Sequence, residues 1–403
     1  MLIAIAPAMA FTWRTHADDA GVDGGLPDDA GASDAGTPLP PCFDSTARPN
    51  PIHVAGGDTP LISALAKLLA KDATPESIIN GPGPSCFALA DLQSHKKRTG
   101  TATYFDASGT GVKCALDPGG NEVDVAFSDS FASSCGVDVG TDIGDFFGPI
   151  TPQLFVVPVA STQMAISAEA AYDAFGVNDG RARPWIDPHF FAVRDAPSGT
   201  QQVISSFIGV PGDQWWGQAP VGGGQIIAQL TAPMSAGDAE KSIGTLTTED
   251  CQVPAIYPQL RILAFQAQGQ SAAYWPDSTV RARDKRNVRD GHYAMWGPLH
   301  LFAHVVGGGP AITAAPLVTR FSQVALDKSV LDAEIDNFFV PQCAMRVRRT
   351  SEGGPLSAYA PAPACGCYFD ARANSATSCL ACSTDADCAS ATPRCNYGYC
   401  EVR

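Results

Sequence analysis

Short apolar runs alternate with helical patterns over most of the chain. "PIHVAGG" at 51–57 predicts a strand that ends in glycines, and the leucines of "TPLISALAKLLAKD" at 59–72 then recur at helical spacing. The same order returns where "SIINGPGPS" at 77–85 precedes "CFALADLQSH", and where "HFFAVR" at 189–194 precedes a helical pattern. Alternating strands and helices are typical of α/β proteins, so we predict an α/β fold with mostly parallel sheets and flanking helices.

Further elements lie between and after these units. Apolar runs predict strands at "TATYFDASG", "VKCALD", "EVDVAFSDS", "QLFVVPVAS", "KSIGTLTTE" and "LRILAFQ". "SAEAAYDAFG" predicts a helix with Ser167 as N-cap and Gly176 as C-cap. Helical patterns also occur at "GGGQIIAQLTA" and at 323–339. "GPLHLFAHVVG" is compatible with a buried strand, or with a helix that pairs His300 and His304 on a metal ion.

Both ends of the chain differ from its body. Residues 1–16 are largely apolar and include Ala8-Met9-Ala10, a cleavage-like pattern, so we interpret them as the remnant of a signal peptide. Residues 17–44 are rich in Asp, Gly, Ala and Pro, which predicts a disordered tether. The segment 343–403 holds eight of the 13 cysteines. Such density is typical of exported proteins, so we favour disulfides over a zinc site at Cys379-x-x-Cys382.

The cysteines of the body and the net charge limit the function further. Cys114 and Cys135 flank a predicted strand pair and are candidates for a disulfide, and the odd total leaves at least one thiol without an intramolecular partner. The formal charge of −15 at pH 7 repels nucleic acid and anionic lipid, so we expect neither as a partner. Beyond the apolar start, no run reaches the ~20 apolar residues of a membrane span. Any anion that this chain binds must therefore be held by local donors.

Local donors are predicted at three strand–turn–helix units, which are 54–60, 80–85 and 193–200. Helix N-termini present free N–H groups and the positive end of the helix dipole, so several of them aimed at one point can bind an anion. Arg194 would add a bidentate cation, and Ser198 and Thr200 would add hydroxyl donors. Gly199 would let the backbone approach closely. The alternative interpretation of Ser198-Gly199-Thr200 is an ordinary helix N-cap.

Arg194-x-x-x-Ser198-Gly199-Thr200 at a helix start resembles the R-x-x-x-S-G-T signature of periplasmic phosphate-binding proteins, the type II solute-binding proteins of phosphate transporters. "VDVAFSDS" is similar to that family's strand ending in Ser-Asp, "GPGPS" to its second loop and "IHVAGG" to its first loop. "KSIGTL" is similar to its return strand, and "DGHYAMWGPLHLF" to a late segment. The resemblance extends from Pro51 to Phe339.

The resemblance implies two α/β lobes joined by two crossing strands, with the ligand buried in the cleft between them. It divides the chain into a first lobe at 45–150, a second lobe at 151–245, a return to the first lobe at 246–342 and a disulfide tail at 343–403. The implied ligand-binding residues are Arg194, Ser198, Gly199 and Thr200 from the second lobe, and Ser128, Asp129, Ser85, Gly57 and Thr59 from the first. In the family the aspartate accepts a hydrogen bond from a protonated phosphate oxygen, which separates phosphate from sulfate. The resemblance gives Asp129 this role.

We therefore expect an exported, monomeric, periplasmic or cell-surface protein that captures phosphate or a similar oxyanion without catalysis, cofactor or metal. A transporter or a cell-surface protein is the expected partner. A second hypothesis is a secreted or cell-surface interaction protein that keeps the fold but has a degenerate ligand site. The tether, the cysteine-rich tail and Asp58 in a short first loop favour it. A hydrolase is a third, weaker class, because the sequence has no G-x-S-x-G motif and no P-loop.

Overall fold

The computed structural model describes residues 38–44, 46, 48–57, 59–220, 222–323, 327–375, 377–389 and 394–401. The predicted signal-peptide remnant at 1–16, most of the predicted tether at 17–44, and Asp58 lie outside the described residues. The last part of that tether segment is described: the Cys42 backbone N–H donates to the Ala115 carbonyl at 2.8 Å. In the parts of the chain that are described, no helix combines the length and the apolar character needed to cross a membrane.

One sheet of 11 strands runs through the molecule in the order β4-β3-β2-β1-β5-β12-β6-β9-β8, with β10 beside β6 and β13 beside β12. Three two-stranded sheets join β11 to β7, β14 to β15 and β16 to β17. The strands are β1 (Pro51–Ala55), β2 (Ser77–Gly81), β3 (Thr101–Phe105), β4 (Gly111–Ala115), β5 (Val125–Ser128), β6 (Ile143–Pro158), β7 (Ala165–Ser167), β8 (Phe191–Ala192), β9 (Ile243–Thr247), β10 (Leu260–Ile262), β11 (Ala264–Gln266), β12 (Trp296–Val306), β13 (Gly309–Pro310), β14 (Val347–Arg348), β15 (Ser357–Ala358), β16 (Arg394–Asn396) and β17 (Tyr399–Glu401).

Helices flank this sheet. The α-helices are α1 (Thr59–Leu69), α2 (Ser85–Gln93), α3 (Ala168–Ala171), α4 (Gly199–Ile208), α5 (Gly223–Thr231), α6 (Ala236–Lys241), α7 (Thr248–Cys251), α8 (Arg286–Arg289), α9 (Ala315–Phe321), α10 (Lys328–Asp336) and α11 (Gly366–Asn374). Short 3₁₀ turns occur at Ala132–Cys135, Pro188–Phe190, Gln342–Ala344 and Asp385–Asp387. The predicted α/β class is confirmed.

The sheet is mixed, and this corrects the prediction of mostly parallel sheets. Parallel pairing occurs between β1 and β2, β1 and β5, and β8 and β9. The long strands β6 and β12 run antiparallel to each other and to their other neighbours, and β3 and β4 form an antiparallel hairpin. A chain that crosses from one part of the molecule to the other and later returns reverses its direction, so β6 and β12 pair antiparallel. Both strands are buried on both faces over most of their length, and such continuous apolar runs do not indicate the direction of pairing.

Two groups of buried apolar side chains organise the molecule. We name the first core the group formed by α1, α2, α9, β1, β2, β5 and residues 299–303 of β12, and the second core the group formed by β6, β8, β9, β10, α4, α5, α10 and α11 together with Trp296 at the start of β12. The strands β6 and β12 connect the two, and pair from Trp296 opposite Pro152 to His304 opposite Ile143. The two cores are thus joined by these strands, and they also touch where Leu68 of α1 packs against the second core.

Three local predictions are corrected by packing. The helix after Ser167 begins as predicted, because the Ser167 Oγ accepts from the Ala170 N–H at 3.1 Å, but it widens into a π-helical turn at Tyr172–Val177. It does not end on Gly176, whose absent Cβ would lie 2.6 Å from a Val210 methyl carbon, so this glycine serves close packing. "LRILAFQ" forms two strands, since β10 pairs with β6 and β11 with β7.

His300 and His304 lie on the strand β12, so they are not a helical metal pair. Residues four apart on a strand are about 13 Å apart. The His300 Nδ1 lies 2.8 Å from the Asp145 Oδ1, whereas the His304 ring stacks on His95 with a centroid distance of 4.4 Å. The buried-strand interpretation of this segment is therefore the correct one.

Twelve of the cysteines form disulfides, as the cysteine-rich tail predicted. The pairs are Cys42–Cys114, Cys86–Cys135, Cys343–Cys365, Cys367–Cys379, Cys382–Cys395 and Cys388–Cys400. The suggested bridge between Cys114 and Cys135 does not form, because each of these residues pairs with a cysteine from another element. Cys251 is the free thiol and is fully buried. In the described residues the one cluster with three possible metal ligands consists of cysteines already used in disulfides.

A buried carboxyl group in α10 makes stability depend on pH. Glu334 is 0 % exposed and neither of its carboxyl oxygens has a hydrogen-bond partner, so burial raises its pKa well above the usual value. A carboxyl group whose pKa is raised by folding stabilises the fold fully below its unfolded pKa, and this contribution is lost as the pH rises through the folded pKa.

We predict that Glu334→Gln raises Tm at pH 7, by about a degree or more, because the amide is neutral in both states, whereas a glutamate ionised in the unfolded chain has to take up a proton or bury its charge on folding. The gain should vanish near pH 4, where the wild-type carboxyl is protonated in both states. Thermal unfolding from pH 4 to 8 measures this, with the exposed Glu169→Gln as control. An equal gain at both ends of this pH range would contradict the prediction.

Candidate functional site

Turns from both cores meet at one place. In the first core the Gly56 N–H donates to the Gly81 carbonyl at 3.2 Å, which brings the first loop beside the second. The second loop leads into α2, whose Cys86 N–H donates across to the Pro197 carbonyl of the second core at 3.1 Å. The end of β5 joins this group, since the Asp129 N–H donates to the Ser85 Oγ at 3.4 Å.

Gly199 lies tightly against the first core. A Cβ added to Gly199 would lie 2.6 Å from the Ser85 Oγ and 2.9 Å from the Asp129 Cβ. Both distances are shorter than any side chain tolerates, so this position requires glycine for steric reasons rather than for its backbone freedom. The start of α4 is therefore set directly against the two turns of the first core.

Ser198 occupies the N-cap position of α4 but its side chain does not cap the helix. Its Oγ is buried without a hydrogen-bond partner, and the residue is 1 % exposed. The Gln202 N–H closes the first helical turn on the Ser198 carbonyl at 3.0 Å, so the earlier N–H groups of the helix remain free of intrahelical acceptors. The interpretation of Ser198 as an ordinary side-chain cap does not describe this helix start.

Arg194 lies two residues after β8, where the Val193 N–H donates to the Gln218 carbonyl at 3.0 Å. Its Nε is buried without a partner, and within the described chain no group accepts a hydrogen bond from, or pairs with, its guanidinium. The adjacent Asp195 has a buried carboxyl oxygen that is equally unpartnered. Burial raises the pKa of Asp195, and the positive charge of Arg194 offsets part of this effect.

Asp129 faces α4 across the contact between the cores. Its Oδ2 accepts from the Thr200 Oγ1 at 3.2 Å. Burial raises the pKa of Asp129; attraction to Arg194 and the Thr200 hydrogen bond lower it in part, while repulsion from Asp250 raises it again. Asp129 therefore holds a proton more readily than a free aspartate.

The other predicted site residues of the first core are Ser128, Gly57 and Thr59. The Ser128 Oγ donates to the Ser130 carbonyl at 2.8 Å and accepts from the Ser130 N–H at 3.1 Å, so this hydroxyl is used within its own turn. Gly57 has a φ of 86° and packs on Phe127. A Cβ added to Gly57 would lie 2.8 Å from the Phe127 Cβ. Thr59 begins α1, and its side chain is not among the described groups.

Two acidic residues near these turns were not predicted. The Asp250 Oδ2 accepts from the Thr247 Oγ1 at 3.1 Å and lies 2.6 Å from the position of a Gly223 Cβ, so its carboxylate covers the start of α5. Asp250 follows the strand β9, and the same strand-then-polar pattern that identified Asp129 could have identified it. Glu352 accepts from the Phe131 N–H at 3.0 Å, and nothing in its local sequence indicates this contact.

The arrangement favours binding over nucleophilic chemistry. The helix start of α4 supplies N–H donors and a positive dipole end, and Arg194 and Ser198 supply a cation and a hydroxyl without partners. The free thiol is an unsuitable nucleophile, because burial raises the pKa of Cys251 to about 12 and no thiolate forms at neutral pH.

The sequence matches no family model and no curated protein. Solved structures do match. A phosphate ABC transporter substrate-binding protein with bound phosphate from Clostridium perfringens is similar over 72 % of this chain and 99 % of its own, with a TM-score of 0.50 and 10 % sequence identity. The chain has the type II periplasmic-binding fold.

Two further solved structures match the chain with lower TM-scores. An ABC-type phosphate transport receptor from Vibrio cholerae covers 72 % of this chain and 99 % of its own length, with a TM-score of 0.46 and 11 % identity. A possible phosphate-binding protein from Planctomyces limnophilus covers 72 % of this chain and 92 % of its own, with a TM-score of 0.43 and 12 % identity. The periplasmic-binding fold predicted from the sequence is confirmed, together with the added disulfide-rich tail.

The steric role of Gly199 gives a test of the contact between the cores. We predict that Gly199→Ala destabilises the protein by about 1–3 kcal/mol, because the methyl group must displace Ser85 or Asp129. Denaturant unfolding measures the change. Gly237→Ala in α6 is the matched control: it is helical, with no atom nearer than 3.9 Å, and should be neutral or stabilising. Equal effects of the two substitutions would contradict the prediction.

Proposed function

We propose that this protein is an exported, non-catalytic solute-binding protein that captures phosphate or a similar tetrahedral oxyanion between its two cores. The observation that carries the proposal is the pair of buried, unpartnered groups at the start of α4, the Arg194 Nε and the Ser198 Oγ. Buried polar groups are nearly always hydrogen-bonded, so unpartnered donors at a helix N-terminus are suited to an anionic ligand. Phosphate is bound in the Clostridium perfringens protein of the same fold.

Each residue of the proposed site has a chemical role. Arg194 pairs with the oxyanion through charge-assisted hydrogen bonds, and Ser198 and the N–H groups of Gly199 and Thr200 add neutral donors. Asp129 shares the proton of a protonated phosphate oxygen. Sulfate carries no proton at neutral pH, so this contact would separate the two anions. Ser85, Ser128, Gly57 and Thr59 complete the proposed set from the first core.

Several observations support export. Six disulfides within one chain require an oxidising compartment to form and persist. The periplasmic-binding fold is consistent with a periplasmic or cell-surface location. A monomer that delivers its ligand to a transporter, or that meets a cell-surface partner, is part of the same proposal, as are the predicted lobe boundaries at 45–150, 151–245 and 246–342.

A second candidate is a secreted or cell-surface interaction protein with a degenerate ligand site. Direct contacts between the cores favour it, because the Thr200 hydroxyl already donates to Asp129 and the Cys86 N–H to Pro197. The Asp250 carboxylate also covers the start of α5, a helix end that could otherwise have faced a ligand. These groups are satisfied without an anion, whereas Arg194 and Ser198 are not.

Calorimetry with phosphate separates the two candidates. We predict binding heat for the wild-type protein at millimolar phosphate, and a loss of about a hundredfold in affinity for Arg194→Ala, because the anion loses its charged partner. Arg181→Ala is the control, since Arg181 is exposed and pairs with Asp179 away from the site. A wild-type protein without binding heat would refute anion capture and favour the interaction protein.

The role of Asp129 has its own test. We predict that wild type binds phosphate more tightly than sulfate at pH 7, and that Asp129→Asn removes most of this preference, because an amide side chain does not repel an unprotonated oxyanion. Competition calorimetry with the two anions measures it. Asp195→Asn, which alters another carboxyl beside Arg194, should keep the preference. A preference that survives in Asp129→Asn would assign the selectivity to another group.

A further inference from the structure

A hairpin in the C-terminal region contacts both cores. The Cys343–Cys365 disulfide closes its base, and the Cys365 N–H also donates to the Cys343 carbonyl at 2.9 Å. The strands β14 and β15 form its stem. Its tip, residues 349–356, extends to the cleft. We name the segment 343–365 the clamp hairpin.

The stem and one side of the tip are fixed to the second core. The Arg349 guanidinium stacks on the Trp296 ring at 4.1 Å and on the Phe207 ring of α4 at 5.0 Å, and its Nη2 donates to the Ala294 carbonyl at 3.0 Å. A Cβ on Gly353 would lie 3.3 Å from the Ser206 carbonyl of α4. The tip thus lies along the helix whose first turn holds the proposed anion donors.

The other side of the tip bonds to the first core. Both carboxylate oxygens of Glu352 accept from the Phe131 N–H, at 3.0 and 3.1 Å, and one accepts from the Ser134 hydroxyl. These donors belong to the turn that directly follows Asp129 and that ends at Cys135, which is bonded to Cys86 of α2. One carboxylate therefore holds the turn that carries Asp129 and the disulfide-bonded start of α2.

We propose that the clamp hairpin holds the two cores together across the cleft. Glu352 is the positioning residue that binds the first core, and Arg349 attaches the hairpin to the second core. The effect on anion release rests on the proposed function, whereas the mechanical role does not. Separation of the cores has to break the bonds from Glu352, since the hairpin stays with the second core. Access to the cleft is then controlled by a segment that lies between α10 and α11 of the second core.

The Cys86 amide reports on this contact without any ligand. Its N–H donates to the Pro197 carbonyl across the cores, so its hydrogen exchange measures how often they separate. We expect Glu352→Ala to accelerate this exchange about tenfold, the equivalent of losing one charge-assisted hydrogen bond. Arg346→Ala is the matched control: it removes a charge from the same hairpin, but the ion pair between Arg346 and Asp290 does not join the two cores. It should leave the Cys86 amide unchanged.

Ser134→Ala is a milder variant that tests the same contact if Glu352→Ala does not fold. Ser134→Ala removes a single hydroxyl from the first core and should accelerate exchange at Cys86 by a smaller factor. The double variant should exchange no faster than Glu352→Ala alone, because the hydroxyl bonds to that carboxylate. In either variant, exchange could become faster at the Phe131 amide while the rate at the Cys86 amide stays unchanged. That result would overturn the proposal, because Glu352 would then stabilise only the turn at Phe131 and not the contact between the cores.

Inorganic phosphate then connects the clamp to the site. Stopped-flow measurement of phosphate release should show dissociation about tenfold faster from Glu352→Ala than from wild type, with Arg346→Ala like wild type. If wild type binds no phosphate, the proposed function fails while the exchange results still decide the clamp. If wild type binds phosphate and Glu352→Ala releases it at the wild-type rate, the clamp does not control the site.

Discussion

The approach of α4 to the first core is the constraint on which the site depends. Only a residue without a side chain fits at Gly199, because Ser85 and Asp129 occupy the space that a Cβ would need. This single contact aligns the helix start with the end of β5 and the start of α2. The hydrogen bond from the Thr200 hydroxyl to Asp129 belongs to the same contact.

The charge of Arg194 before α4 is opposite in sign to that of the whole chain. A chain with a formal charge of −15 repels anions at long range, yet the Arg194 guanidinium and the Ser198 hydroxyl lie in the segment that leads into the positive end of the α4 dipole. Two neighbouring carboxyl groups, Asp129 and Asp195, are partly buried, and desolvation raises the pKa of each. Removal of water strengthens the attraction between Arg194 and any anion that it meets.

The sequence predicts those parts of the fold that depend on neighbouring residues. Apolar periodicity identified the strands before Arg194 and Asp129 and the helix after Ser198, because these patterns are local. It could not distinguish parallel from antiparallel neighbours, nor foresee the packing of Gly176 against Val210. Glu352 lies 221 positions from the Phe131 amide that it binds, and disulfide pairing is equally non-local. Such contacts depend on how complete elements pack, which local patterns do not encode.

Cys251 has a consequence for the covalent framework. One thiol beside six disulfides could attack any of them and redistribute the pairing, since exchange needs only a thiolate with access to a sulfur atom. The second core removes both conditions, because it encloses the side chain completely and suppresses ionisation. Noncovalent packing thus protects the crosslinks from the protein's own thiol, and the pattern of disulfides remains fixed for as long as the second core stays folded.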